Sequence, residues 1–139
     1  MSINKWNSFW MGMAKQASTL SKDPSTKVGA IIVTPDNRQC SIGYNGFPKG
    51  VDESSERWQR PIKYEYVVHA EENAIINAPF DTQGCDLYCT LQPCHKCMGK
   101  LVNAGIRDIF FLETYPNLKH PTVWLAMSGK FRNVVELNI

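Results

Sequence analysis

The motif His69-x-Glu71, followed by Pro93-Cys94-x-x-Cys97, constrains this chain more than any other feature of its sequence. One imidazole and two thiolates are ligands that zinc prefers, and three protein ligands leave the fourth tetrahedral position open. Cys94 and Cys97 fall on the first turn of a predicted helix, where the helix dipole and free N–H groups favour thiolates. Because an open position is typical of catalytic zinc, the motif predicts a catalytic zinc site formed by His69, Cys94 and Cys97.

Glu71 is too close to His69 in sequence to be a convenient fourth ligand, so we expect it to move protons beside the metal. A structural site of four cysteines (Cys85, Cys89, Cys94 and Cys97) is the alternative, and it would leave His69 without a metal. We favour the first interpretation because Cys85 and Cys89 fall on one face of a predicted strand, as small buried apolar side chains do. We expect Glu72 to be structural or exposed, and His95 and His120 to face solvent.

The composition limits the class of protein. A chain of 139 residues with 43% hydrophobic residues suits one domain, 1–139, with a real core. A net charge of +2, from 15 basic and 13 acidic residues, is too balanced for a surface that binds nucleic acid. We expect no membrane span, since no run of apolar residues is long enough, and the N-terminus lacks the pattern of a signal peptide. We therefore expect the chain in a reducing cytoplasm, where clustered cysteines bind metal.

The hydrophobic pattern predicts an α/β protein. Residues 28–45 are predicted to form a hairpin, and 46–66 a long loop with a short helix around 53–60. From residue 69 onward helices and strands alternate, which favours a sheet with helices on its faces. The predicted helices are 3–20, 69–78, 94–104 and 121–128, and the remaining predicted strands are 86–91, 107–112 and 131–137.

Four motifs, in matching order, resemble those of the deoxycytidylate (dCMP) deaminases of the cytidine-deaminase-like superfamily. They are KDPSTKVGA at 22–30, GYNGFP at 43–48, HAEENA at 69–74 and PCHKC at 93–97. The resemblance implies an α/β/α fold of three layers around a mixed five-stranded sheet, and conversion of dCMP to dUMP for thymidylate synthesis. Residues 46–66 contain neither Cys nor His, so we expect one zinc ion per subunit and not the second, structural zinc of some relatives.

The resemblance also implies which residues contact the substrate. A zinc-activated water attacks C4 of cytosine, and Glu71 carries protons to ring N3 and to the leaving amine. Tyr115 is similar to the tyrosine that stacks on the pyrimidine, and Ala70 is assigned to the same site. The further substrate-binding residues are Ser25, Thr26 and Lys27, as a cradle for the phosphate, and Asn45. The alternatives are a simple connector at 25–27 and an ordinary Asn-Gly turn at 45–46.

Regulation is implied by the stretch Gly43, Tyr44, Asn45 and Gly46, which in the family is associated with an allosteric nucleotide site. The resemblance implies activation by dCTP with Mg²⁺, inhibition by dTTP, and a homo-oligomer, usually a hexamer. Four basic residues of the long loop could bind a triphosphate effector, although a solvated loop is the favoured interpretation for each: Lys49, Arg57, Arg60 and Lys63.

Three other functions remain open at this level. A cytidine deaminase acting on nucleosides would use the same zinc chemistry, but its sequence would not combine the motifs found here at 22–30 and 43–48. A deaminase editing tRNA or DNA would need a basic groove lined by aromatic residues, which the charge balance disfavours. A non-catalytic zinc-binding module would not need Glu71, so replacing that residue separates it from the enzymes.

Overall fold

The computed structural model describes residues 4–139, and the predicted helix start at residue 3 lies outside them. The chain alternates helices and strands after an N-terminal helix and a hairpin. The helices are α1 (Lys5–Ser18), α2 (Lys63–Tyr66), α3 (Ala70–Asn77), α4 (His95–Asn103) and α5 (Pro121–Ser128). The strands are β1 (Gly29–Val33), β2 (Cys40–Tyr44), β3 (Asp86–Leu91), β4 (Asp108–Glu113) and β5 (Asn133–Glu136).

The five strands form one mixed sheet in the order β2-β1-β3-β4-β5. β1 runs antiparallel to both β2 and β3, with Ile31 opposite Ile42 on one side and Tyr88 on the other. β3, β4 and β5 run parallel to one another, as strands joined by helical crossovers do. The predicted hairpin and the mixed five-stranded sheet are therefore confirmed.

Helices cover both faces of this sheet. Successive side chains of a strand point to opposite faces, so Ile31 packs in a core cluster with Trp10 and Met11 of α1. Ile32 packs in a second cluster with Ala74 of α3 and Met98 and Leu101 of α4. The three-layer arrangement is thus also confirmed, and it brings the first turns of α3 and α4 to the same face.

A close approach of α3 to β2 fixes where the first turn of α3 lies. A Cβ at Gly43 would be 2.1 Å from the Ala70 carbonyl oxygen, so only glycine fits there. Two side-chain hydrogen bonds hold the same contact: Ser41 Oγ donates to the Ala74 carbonyl (2.6 Å) and Asn73 Nδ2 to the Tyr44 carbonyl (2.9 Å). Gly43, predicted to belong to the effector site, therefore has a packing role.

The long segment between β2 and α3 differs from its prediction. The expected helix around 53–60 is wrong, and the only helix of residues 46–66 is α2, at Lys63–Tyr66. The segment is packed by its own aromatic side chains, which do not follow a helical period: the Phe47 ring lies 4.1 Å from Trp58 and 5.3 Å from Tyr66. No helix within residues 4–139 has the length and apolar character needed to cross a membrane.

Candidate active site

The three predicted zinc ligands meet where α3 and α4 begin. His69 is the N-cap of α3 and Cys94 the N-cap of α4, and the Cys94 Sγ accepts the Cys97 N–H at 3.5 Å. The His69 Nδ1 lies 3.7 Å from Cys94 Sγ and 3.3 Å from Cys97 Sγ. Two ligands of one tetrahedral zinc are about 3.5 Å apart, given Zn–S and Zn–N lengths of roughly 2.3 and 2.0 Å. The donor set and its spacing therefore fit zinc.

The alternative of a four-cysteine site has no support in the structure. Cys85 and Cys89 are fully buried and belong to the core between the sheet and α3 and α4, as predicted for small apolar side chains. Within residues 4–139, the one group with metal-ligand geometry contains His69, Cys94 and Cys97. The group that fits zinc is therefore the one predicted from the His-x-Glu and Cys-x-x-Cys motifs.

Electrostatics at the cluster favour a thiolate and a protonatable carboxyl. The hydrogen bonds that Cys94 Sγ accepts, first from Cys97 and then from His69, lower the pKa of Cys94 to about 3 against the effect of burial. The Glu71 carboxyl is buried, with 4% of its surface exposed, and this burial raises its pKa. A carboxyl beside the ligand cluster can both accept and release a proton.

The neighbours of the ligands hold the two helix starts together. Glu72 accepts the His69 N–H at 3.1 Å and forms an ion pair with Lys100 of α4, so its predicted structural role is confirmed. His95 was expected to face solvent, but it is half-buried, with its ring 4.6 Å from that of His120. The prediction for His95 is wrong because His120, which is exposed as expected, precedes α5 beside the start of α4.

A cavity of about 200 Å³ opens beside the metal cluster. Its lining includes His69, Ala70 and Glu71. Charged residues from two other segments of the chain also line it: Asp23, Arg60 and Lys63. Its lining also includes Thr26, Val28, Asn45, Tyr64, Val67, Leu91, Gln92 and Tyr115. Four predicted substrate residues, Thr26, Asn45, Ala70 and Tyr115, thus share one cavity with the predicted proton carrier.

Tyr115 is held in the cavity wall by Gln92, a residue that the sequence did not single out. The Tyr115 N–H donates to Gln92 Oε1 at 3.1 Å, and the Gln92 N–H donates to the Glu113 carbonyl at 2.7 Å. Gln92 is buried between β3 and the Cys94 motif. This fixes the backbone of Tyr115 in the cavity that the first turn of α3 also lines.

Asn45 is a buried anchor and not the tip of a tight turn. Its Nδ2 donates to the Thr26 carbonyl (2.8 Å) and to Asp23 Oδ2 (3.3 Å), and its Oδ1 accepts the Val28 N–H (2.9 Å). Both N–H donors of the side chain are therefore used within the chain, and Oδ1 keeps one lone pair. Asn45 thereby ties the end of β2 to the segment 23–28.

The predicted phosphate cradle is only partly directed to the cavity. Thr26 lines it, whereas Ser25 and Lys27 are not among the lining residues. The Lys27 Nζ donates to the Ser21 carbonyl at 2.6 Å. Ser25 donates through N and Oγ to Asp23 Oδ1, which also accepts the Thr26 N–H. The segment is thus a turn organised by an aspartate side chain.

Two basic residues of the long loop enter the same cavity. The Lys63 Nζ lies 2.9 Å from Asp23 Oδ2, and both side chains are buried. Arg60 lines the cavity from the exposed side. The sequence suggested both only as effector ligands, because no local pattern reports a contact between residues 40 positions apart.

A second cavity, of about 240 Å³, contains most of the predicted effector stretch. Tyr44, Asn45 and Gly46 line it together with Lys22 and Lys49. Gly43 is not among its lining residues. Asn45 borders both cavities, so this residue connects the predicted substrate and effector sites.

Replacing either thiolate should remove the metal. We expect Cys94→Ser and Cys97→Ser to lower the bound zinc from about one ion per chain to near zero at equimolar metal, since a hydroxyl is a poor zinc ligand. Metal analysis after gel filtration measures this. Cys40→Ser, on β2 and outside the cluster, is the matched control and should keep its zinc. Full zinc content in Cys97→Ser would contradict the assignment of the ligands.

Comparison with known proteins agrees with this geometry. The family model described as the cytidine and deoxycytidylate deaminase zinc-binding region matches residues 4–113. An uncharacterised deaminase of the luxG 3′ region of Aliivibrio fischeri is 45% identical over 111 residues, which cover 80% of this chain and 75% of that protein. A probable deoxycytidylate deaminase of Caenorhabditis elegans is 46% identical over 114 residues, covering 78% of this chain and 58% of that protein.

A human deoxycytidylate deaminase is 39% identical over 116 residues, covering 78% of this chain and 65% of its own length. The chain thus spans less than two thirds of the worm and human proteins. The dCMP deaminase of cyanophage S-TIM5, solved in complex with dCMP and dUMP, superposes with a TM-score of 0.80 at 25% identity, covering 99% of this chain and 100% of that one. The chain therefore belongs to the cytidine and deoxycytidylate deaminase family.

Proposed function

We propose that this chain is a zinc-dependent deoxycytidylate deaminase, which converts dCMP and water to dUMP and ammonia. The observation that carries the proposal is the buried Glu71 carboxyl beside the His69, Cys94 and Cys97 cluster, in a cavity that also contains cationic side chains. Relatives at 39–46% identity that bear the name deoxycytidylate deaminase support the choice of substrate. The S-TIM5 enzyme, solved with dCMP and dUMP, supports it further.

His69, Cys94 and Cys97 would hold the zinc ion, which when bound supplies a hydroxide nucleophile near neutral pH. Glu71 takes the proton of the attacking water and gives it to ring N3 of the cytosine. It then passes the second proton to the amino group at C4, so that the C–N bond breaks and ammonia leaves. The burial that raises the pKa of Glu71 lets one carboxyl serve in both directions.

The substrate contacts follow from the lining of the cavity. We propose that Tyr115 stacks on the pyrimidine, a contact that contributes roughly 1–3 kcal/mol per base. Ala70 lies in sequence between the predicted zinc ligand His69 and the proton carrier Glu71, and its backbone would face the base. The lone pair that remains on Asn45 Oδ1 is an acceptor for the sugar. Ser25, Thr26 and Lys27 stay predictions as phosphate ligands, and of these Thr26 has the most direct support.

We further propose regulation by dCTP with Mg²⁺ as activator and dTTP as inhibitor. The cavity lined by Tyr44, Asn45 and Gly46 with Lys22 and Lys49 supports this, because the Lys49 ammonium suits a triphosphate, whereas Lys22 is paired with Glu53 of the same lining. We also propose that the chain forms a homo-oligomer, a hexamer. Large apolar side chains on the surface support this, because such side chains are typical of subunit contacts. These include Phe9 (52% exposed), Ile76 (72%) and Leu125 (64%).

A parallel assay on four compounds tests the function and its regulation. Purified protein is incubated with dCMP, deoxycytidine, dCTP and cytosine, and the ultraviolet change from cytosine to uracil is followed. We expect turnover of dCMP alone, because the cationic part of the cavity can hold one phosphate. Added dCTP with Mg²⁺ should raise the rate and dTTP should lower it, and light scattering gives the mass of the oligomer in each condition.

The outcomes separate the parts of the proposal. Turnover of dCMP without any response to the triphosphates would retain the catalytic proposal and refute the regulatory one. Equal turnover of deoxycytidine and dCMP would favour a nucleoside deaminase. Absence of turnover on every compound, in protein with one zinc per chain, would favour a polynucleotide substrate or a non-catalytic zinc module.

A further inference from the structure

The cavity beside the metal cluster contains two cationic side chains, and they differ in how their charge is compensated. Lys63 is 4% exposed, and its Nζ donates to Asp23 Oδ2 at 2.9 Å and to Ser25 Oγ at 3.1 Å. An ammonium has three donors, so one N–H of Lys63 remains for a ligand while its charge is balanced by Asp23. Lys63 can therefore donate a hydrogen bond but adds little net charge.

Arg60 is the cation of this cavity whose charge is not compensated. Its guanidinium forms neither an ion pair nor a side-chain hydrogen bond with any residue between 4 and 139 that the structure describes. Asp23, an acidic residue of the same lining, is already bonded to Lys63, Ser25, Thr26 and Asn45. The charges of Arg60, Lys63 and Asp23 in this lining sum to one positive charge.

Lys27, the cation that the sequence motif suggests for the phosphate, is directed elsewhere. Its Nζ is bonded to the Ser21 carbonyl, and the residue does not line the cavity. The uncompensated positive charge of the cavity therefore comes from the loop that precedes α2, and not from the segment 25–27 as the sequence motif suggests.

We propose that Arg60 is the residue that determines specificity for the 5′-monophosphate, with the free N–H of Lys63 and the Thr26 hydroxyl as further donors. The inference rests on the proposed function, since it concerns the phosphate of the same substrate. A guanidinium presents its N–H groups in a planar fork that matches two phosphate oxygens at once. The charge that discriminates between nucleotide and nucleoside then comes from Arg60 of the loop before α2, and not from Lys27 of the motif 22–30.

Binding measured in the Glu71→Gln background tests this assignment, because substrate is then held without turnover. Calorimetric titration with dCMP and with deoxycytidine compares Arg60→Gln with the parent. We expect the Kd for dCMP to rise about tenfold or more, as loss of a charged hydrogen bond implies, and that for deoxycytidine to stay within about twofold. Arg57→Gln is the matched control: Arg57 is in the same loop, but donates to the Asp52 carbonyl and lies over the Tyr66 ring.

Lys27→Gln is the variant that discriminates between the two phosphate sites. Unchanged dCMP binding in Arg60→Gln, or loss of dCMP binding in Lys27→Gln alone, would overturn the assignment. An equal loss of dCMP and deoxycytidine in Arg60→Gln would also overturn it, because the effect would not depend on the phosphate. If the protein with Glu71 intact does not deaminate dCMP, the proposed function fails; preferential loss of dCMP binding in Arg60→Gln would still support the phosphate assignment.

Discussion

Replacing Glu71 with Gln is expected to lower kcat for dCMP by about 10³-fold or more while zinc stays bound at one ion per chain. Glutamine is close to glutamate in shape, so it should fill the same buried position between His69 and the core. It cannot accept a proton from water or return one to N3 and the amino group, and every proton transfer of the proposed reaction passes through this carboxyl. Stopped-flow absorbance with metal analysis of the same sample measures both quantities.

The neighbouring carboxyl is the matched control for this prediction. Glu72 lies on the same helical turn, but its carboxyl is bonded to the His69 N–H and to Lys100, away from the cavity lining. Glu72→Gln should therefore keep its activity within about tenfold. Full activity in Glu71→Gln with zinc bound would refute the role of Glu71 and would favour the non-catalytic zinc module.

The parts of the fold that the sequence predicted well are those determined by local periodicity and capping. The last helix was predicted at 121–128 and is Pro121–Ser128, and β3 was predicted and observed at 86–91. The helix predicted at 94–104 is followed by Gly105, whose φ of +80° is the left-handed conformation that a glycine allows after a helix. The segment 46–62 is the loop that was predicted, but the short helix expected around 53–60 is absent from it. Its order comes from Trp58 and Phe47 packing on each other, which leaves no period in the sequence.

In the site, too, features set by local sequence could be predicted and contacts between distant residues could not. The ligands His69, Cys94 and Cys97 could be assigned because ligand type and spacing are local properties of two helix starts. The contacts of Asn45 and Lys63 with Asp23 connect positions 22 and 40 residues apart, and only the folded chain brings them together. Charge counts alone could not show that Lys27 is bonded to a carbonyl while Arg60 lines the cavity.

The largest effect on stability is expected from Lys63→Met. The Lys63 ammonium and the Asp23 carboxylate are 5% and 2% exposed, and removing one partner of a buried ion pair costs about 3–5 kcal/mol because the other charge remains buried. Part of the Asp23 charge would still be met by the N–H groups of Ser25 and Thr26. Urea unfolding at pH 7 gives the free energy of unfolding for the variant and the wild type.

The pH dependence of the free energy of unfolding, and two further variants, test whether the buried Asp23 charge causes the deficit of Lys63→Met. Burial alone would raise the pKa of Asp23, but the Ser25 N–H and the Lys63 ammonium bring it below its usual range. A lowered pKa stabilises the fold above the unfolded value of about 3.9, and this contribution is lost as the pH falls through the folded pKa. Without Lys63, burial of Asp23 raises its pKa above the unfolded value, so the deficit of Lys63→Met should narrow as the pH falls from 7 toward 4 and Asp23 in the variant becomes protonated and neutral.

The double variant Asp23→Asn, Lys63→Met should lose less stability than Lys63→Met alone, because no unpaired charge then remains in the core. Lys22→Met removes the exposed partner of the Lys22–Glu53 pair, and the free energy of unfolding should not change measurably. A deficit in Lys63→Met no larger than that of Lys22→Met, or one that does not vary with pH, would mean that water reaches Asp23. In that case the 23–28 segment would be held mainly by the backbone and Asn45, and Lys63 would be a free cation of the cavity like Arg60.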